Sequence, residues 1–548
     1  MKKILFAILP LILLSSCKGT HGEKTIKLEN QTVYDAPYRY ENSDDNKARI
    51  VYKNGVPVLI QSASLRTDLL KNADFLKAAE MEDYFAIAKE TNMNTMEISL
   101  MWSEIEIDKD IYSFDELDTY LNFAKEYDLK LNIIWYGSFV DGETHTANIP
   151  KYISENPNEY PLIMDLFDFA NYGHCEIIDW NNDKLLNREQ IALYSALNHV
   201  YEWNHNNDNY DPIIMVQLGQ GVDRLQRWRV NQYKIPGQDG EIMSFDEAWA
   251  LSNKYIEAMG KAVKYSKYKA LTRSEFCEQS AVVNYVRNIK NIEYVDIVCP
   301  TYLHEITTMK NGIKNFVDEY EDMPVINSEN WANDINYKQI MVSTAMGGSG
   351  YVSYQLSAPR YFPESPKGTL YKRYNPDGTT LEEKFVEHFS RATDTKLVNG
   401  LLNKAFVPAT NASRGNFASL GLDSSFNDKV GEERTQKIYL KSGILVDYTN
   451  PEDVIGYAIY DRNFIYCTSS KDAQLTVNNC TATVAQQGQF NEEGEWESAG
   501  NVTLENNKTL IMEAGIAYRI RLATINPLPD PATLISNQYR STSDSIRS

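Results

Sequence analysis

The stretch Thr95-Met96-Glu97-Ile98-Ser99-Leu100-Met101-Trp102-Ser103-Glu104-Ile105-Glu106, with the residues that follow it up to Gly137, decides the fold. An apolar run at 95–102 reads as a buried strand. Residues 114–127 then carry apolar side chains at helical spacing, and 129–137 is a second apolar run ending Ile134-Trp135-Tyr136. Strand, helix and strand within so few residues is the signature of a parallel β/α unit.

The same rhythm extends in both directions. Residues 49–60 read as strand, Asn54-Gly55 turn and strand, a strong hairpin signal. Strands are predicted at 56–64, 95–102, 129–137, 213–218, 269–274, 295–302, 324–329 and 350–356. Amphipathic helices fall between them, for example at 83–91, 114–127, 188–204, 245–264 and 337–346. Eight such alternations fit a closed (β/α)8 barrel better than an open sheet. After Leu397 the helical period gives way to short alternating strands at 437–446, 454–460, 464–468, 475–477, 509–513 and 516–522, which read as an antiparallel β-sandwich. The expected organisation is a leader at 1–16, a polar linker at 17–47, the barrel at 48–396, the sandwich at 397–526 and a Pro- and Ser-rich tail at 527–548.

The N-terminus has Lys2 and Lys3, then an apolar run from Ile4 to Leu14, too short to span a bilayer as a mature helix. It reads as a secretory signal. Leu14-Ser15-Ser16-Cys17 resembles the lipobox of bacterial lipoproteins, which implies cleavage before Cys17, lipidation of its thiol and attachment to a membrane, with the outer membrane of a Gram-negative envelope as the expected site. Losing two lysines with the leader takes the formal charge from −21 to −23. So acidic a surface argues against nucleic acid and anionic headgroups and favours neutral ligands. Of the six cysteines, Cys175, Cys277 and Cys299 show no CxxC spacing, and Cys467 and Cys480 either pair or remain as thiols.

Barrel chemistry sits at the C-terminal ends of the strands. Here those ends are polar and aromatic: Trp102 and Glu106, Trp135 and Tyr136, Gln217 to Gly221, Arg273 to Glu275, Tyr302 to Glu305, Glu329 to Trp331, and Tyr354. Sugars pair apolar C–H faces with polar edges, so amphipathic aromatics suit them. Trp102, Trp135, Tyr136, Trp331 and Tyr354 are the candidate stacking platform, in a chain with 36 Tyr, 19 Phe and 8 Trp.

The run from Trp102 through Glu106, Tyr112, Phe114, Asp115 and Asp118 resembles the second β/α unit of clan A glycoside hydrolases, nearest to the β-galactosidase families 35 and 42. The entry Tyr52-Lys53-Asn54-Gly55-Val56-Pro57, the fourth-strand run Pro212 to Gln217 and the seventh-strand run Met323 to Glu329 are similar to the corresponding parts of family 35 barrels. The resemblance implies retention through two carboxylates about 5 Å apart. It places the nucleophile at Glu329, an orienting tyrosine at Tyr302 and a substrate-binding role at Gln217. It also places the acid/base at Gly221, which has no proton to give. Asp223, Glu275, His304 and Glu305 are the candidates to replace it. A glycosidase with a substitute acid and a barrel that binds glycans without cutting them both remain open, and the sandwich is a further candidate for carbohydrate binding.

Other chemistries fit less well. Gly219-Gln220-Gly221-Val222-Asp223-Arg224 carries Arg224 where a dinucleotide loop needs its third glycine. No HExxH is present, and His304-Glu305 alone makes no metal site, so no metal or cofactor is implied.

Overall fold

The computed structural model describes residues 28–31, 35–42, 48–72, 78–137, 149–165, 175–220, 233–234, 245–277, 292–301, 306–357, 368–373, 379, 381–382, 385–412, 414–421, 434–450 and 455–526. Eight strands close a parallel barrel in sequence order: β1 (Ile60–Leu65), β2 (Thr95–Met101), β3 (Lys130–Tyr136), β4 (Ile213–Gln217), β5 (Leu271–Cys277), β6 (Ile297–Thr301), β7 (Ile326–Trp331) and β8 (Gly350–Tyr354). Each overlaps a strand expected from sequence. Helices α1 (Ala78–Glu90), α2 (Asp115–Glu126), α3 (Asp183–Asn206), α4 (Phe245–Tyr265), α5 (Ile306–Glu319), α6 (Asn336–Ala345) and α7 (Arg391–Asn403) wrap the outside.

Period-two alternation divides the strands' side chains. Met96, Ile98 and Leu100 of β2 and Leu131, Ile133 and Trp135 of β3 join the helix faces in one buried cluster. Ile60, Met215, Leu271, Ile297, Cys299 and Ile326 fill the lower lumen, where Tyr38 and Ile50 close the floor. Tyr38 belongs to a strand, Tyr38–Asn42, inside the stretch read as linker. It pairs with Ala48–Tyr52, and the Tyr38 hydroxyl donates to the backbone carbonyl of Asp211 at 3.0 Å. The strand expected from residue 56 is broken at Leu59: Pro57–Val58 stays with the hairpin, while the Ile60 amide donates to Ser349 and enters the barrel.

The second region is a two-sheet sandwich. Its strands are β9 (Phe417–Leu420), β10 (Arg434–Tyr439), β11 (Leu445–Asn450), β12 (Gly456–Asp461), β13 (Phe464–Ser469), β14 (Ala473–Asn478), β15 (Cys480–Phe490), β16 (Trp496–Val502), β17 (Thr509–Met512) and β18 (Tyr518–Ile525). One sheet runs β9-β12-β13-β18-β15-β16 and the other β10-β11-β14-β17. The single strand expected at 437–446 is two, because the chain reverses between Leu440 and Ile444 with Gly443 at φ +94°. Strands β15 and β16 went unread because their burial does not alternate from residue to residue. Cys467 and Cys480 are free thiols, which settles the alternative between pairing and thiols.

Leu397 lies inside α7, and a further helix, α8 (Phe406–Asn411), precedes β9. Ile340 and Met341 of α6, Val398 and Leu401 of α7, Ala409 of α8, and Tyr457 and Ile459 of β12 share one buried cluster, so barrel and sandwich are joined by apolar packing. Among the described residues no helix is long and apolar enough to cross a membrane.

Candidate functional site

Above its apolar floor the lumen turns polar, which is costly unless the groups pair. Glu97 of β2 and Arg273 of β5 do so as an ion pair, each 1 % exposed at the side chain. These strands are not neighbours, so the pair crosses the lumen. Arg273 also donates to Gln217 Oε1 of β4 at 2.6 Å. Gln217 Nε2 in turn donates to Glu275 Oε2 and Gln220 Oε1, both at 2.8 Å, and Glu275 Oε1 accepts from the Thr301 hydroxyl at 3.1 Å. Thr301 lies 3.3 Å from Ser328 Oγ, the residue before Glu329. A chain of polar contacts thus runs from β2 through β5, β4 and β6 to β7.

Glu329 sits at a register shift of β7 against β8, between Asn327 and Asn330, with φ +52°. Left-handed backbone is uncommon for a non-glycine residue, and bulges near active sites re-aim side chains. The half-buried Glu329 carboxylate lies close enough to Glu97 to act on it electrostatically. Burial pushes the Glu97 carboxyl above the usual carboxylate range, with Arg273 opposing and Glu329 adding to the rise. A guanidinium does not release its proton, so Arg273 presents a fixed positive charge to Glu97.

The expected aromatic platform is only partly at the mouth. Trp102 is fully buried, its Nε1 donating to Glu106 at 2.9 Å; Glu106 also takes Arg188. The Trp-x-x-x-Glu spacing therefore serves to fold the loop after β2. Trp135 is fully buried too and donates to Glu189 at 2.9 Å, because the third strand turns it outward beneath the helices. Tyr136 is buried against the Arg66 guanidinium, 5.3 Å from its ring centre. These three are corrected from sugar platform to wall and loop structure. Gln217 is likewise a buried brace, with its amide engaged on both sides.

Trp331 and Tyr354 remain half-buried and directly opposed in register at the top of β7 and β8. The Trp331 Nε1 is buried and has no hydrogen-bond partner among the described residues. The Tyr354 hydroxyl accepts from Arg66 Nη1 at 3.2 Å, and Arg66 is locked to the buried Asp68. Arg66, Asp68, Glu97 and the luminal role of Arg273 were missed from sequence. A charged residue inside an apolar strand run, as Glu97 is, was the available signal. Tyr302, Gly221, Asp223, His304, Glu305 and Cys17 lie outside the described residues. Among the described residues no cluster of His, Cys, Asp and Glu could hold a metal ion.

Fold and site together define a (β/α)8 barrel with a carboxylate-bearing polar mouth. No family model and no curated relative matches the chain. Among solved structures it is similar to a GH30 endoxylanase from Clostridium papyrosolvens, at 9% identity and TM-score 0.38 over 87% of this chain and 98% of that one. It is also similar to the catalytic domain of β-amylase from Paenibacillus polymyxa, at 9% identity and TM-score 0.40 over 59% of this chain and 96% of that one. The barrel itself is defined by its own strand order and register.

Proposed function

We propose that this chain is a retaining glycoside hydrolase of the β-galactosidase type, acting on a β-linked glycan at the cell envelope with Glu329 as nucleophile. The observation that carries the reading is the backbone of Glu329: a left-handed residue on a bulge at the mouth of β7, beside Trp331 and Tyr354. In the reaction Glu329 attacks the anomeric carbon while an acid protonates the departing oxygen, and the same group then activates water against the glycosyl ester. Arg273 offsets the charge of Glu97, so the nucleophile does not face an uncompensated second anion.

Gly221 occupies the position of the family acid, and loss of a general acid costs roughly 10²–10⁴ in rate on poor leaving groups. Of the four candidate substitutes, Glu275 is held in the lumen by Gln217 and Thr301. Asp223, His304 and Glu305 are the other three candidates. A second reading, a glycan-binding lipoprotein that does not cleave, is favoured by the same Gln217–Glu275 bond, which occupies one oxygen of that carboxylate. In both readings Cys17 carries the lipid anchor.

The test compares wild type, Glu329→Gln and Gly221→Glu on activated aryl glycosides and natural β-linked sugars. The expected result is slow, Glu329-dependent cleavage of dinitrophenyl glycosides, weaker action on natural linkages, and a gain on the latter with Gly221→Glu. Measurable glycan binding with no turnover by any of the three proteins would establish the non-catalytic reading.

A further inference from the structure

The loop between β8 and α7 carries Phe389, the most exposed large apolar side chain among the described residues at 72%. Its φ is +56°, and a bulky residue in left-handed backbone is strained. Exposure and strain both disfavour this arrangement.

Phe389 is nevertheless fixed from beneath. Its ring stacks on buried His388 at 4.9 Å between centroids and 22° between planes, and the Arg391 guanidinium sits 5.3 Å from its centre. Arg391 Nη1 donates to His388 Nδ1 at 3.1 Å, and its Nε donates to Asp334 at 2.8 Å in the loop after β7. Burial, with Arg391 beside it, pushes the His388 imidazole down to about 4, so the ring is neutral and accepts at Nδ1. The supporting residues therefore clamp the β8 loop to the loop that continues from Glu329 and Trp331. A bridge between Ala332 and Gly368 ties the two loops a second time, and a Cβ added at Gly368 would come 2.4 Å from the Ala332 carbonyl. Because Phe389 precedes the N-terminus of α7, it stands on the same face of the barrel as the strand ends.

We infer that Phe389 is a preformed outer platform on which a sugar ring of a longer glycan stacks, beyond the ring held at Glu329. The inference rests on the glycan reading of the barrel. Most of the Phe389 side chain is exposed to solvent while His388 and Arg391 hold the ring, and an apolar C–H face of a pyranose can pack on such an aromatic surface. The orientation is held in advance, so little freedom is lost on binding.

The experiment measures affinity by calorimetry for ladders of β-galacto-, β-gluco- and β-xylo-oligosaccharides from one to five units, in the Glu329→Gln background to prevent turnover. Phe389→Ala should flatten the gain of affinity with chain length, weakening the longer members about threefold to tenfold, and Phe389→Tyr should restore it. Phe389→Gly should lose the same affinity while unfolding at a higher temperature, because the backbone strain is relieved. That split is not expected of a residue with a structural role alone. Chain-length dependence unchanged by Phe389→Ala, with binding still sensitive to Trp331→Ala, would overturn the platform and leave the glycan reading standing. No binding to any ladder by any of the proteins would overturn both.

Discussion

Glu97 and Arg273 reach across the barrel from β2 and β5 and meet as a buried ion pair beneath Glu329. Each is the other's ion-pair partner, with Arg273 also acted on by Glu275 and Glu97 also accepting from Ser64. Breaking a buried pair from one side typically costs about 3–5 kcal/mol, whereas replacing both with apolar residues is often neutral. Glu97→Leu and Arg273→Met should each lower stability in urea unfolding by about that amount, and the double variant should recover much of the loss. Additive losses would show that the two side chains are not coupled.

The left-handed backbone at Glu329 is expected to cost about 1–3 kcal/mol. Glu329→Gly should therefore be more stable than Glu329→Ala in denaturant unfolding. Equal stability of the two variants would place no strain at this residue.

Gly137 ends β3 against Glu189, and a Cβ there would stand 1.5 Å from Glu189 Oε1 and 2.5 Å from Trp135 Nε1. Gly137→Ala should separate Trp135 from Glu189 and lower stability by about 1–3 kcal/mol, the usual cost of overpacking. Near-ultraviolet circular dichroism should report the displaced indole. An unaltered spectrum and melting temperature would mean that Glu189 moves aside freely.

His388 is held down to about 4 in the folded chain against an ordinary value of 6.5. The unfolded chain therefore takes up a proton first as pH falls, and the stability contributed by neutral His388 is complete above about 6.5 and lost progressively toward about 4. Wild type should lose stability across that window relative to His388→Asn. Parallel pH profiles for the two proteins would contradict the shift.

Cys17 is expected to carry the lipid, so Cys17→Ser should move the protein from the membrane to the soluble fraction and remove the acyl mass from the mature chain. Membrane partition of the variant, together with an unacylated native protein, would refute the anchor.

The sequence alone determined the barrel. Its eight strands are apolar runs separated by amphipathic helices, and that periodicity is written locally, as in Thr95 to Gly137. It also singled out Glu329, through the resemblance of the run Met323 to Glu329 to the seventh strand of family 35 barrels. Tertiary structure decided which strand-end aromatics face a ligand. Trp135 and Tyr136 are adjacent in sequence yet project to opposite sides of β3, and a helix residue, Glu189, captures the first while Arg66 covers the second. It also decided that Gln217 braces the lumen, since its partners Arg273 and Glu275 come from another strand. Phe389 was illegible for the same reason: exposure, backbone angle and the support of Arg391 arise only when the loops after β7 and β8 are brought together on one face.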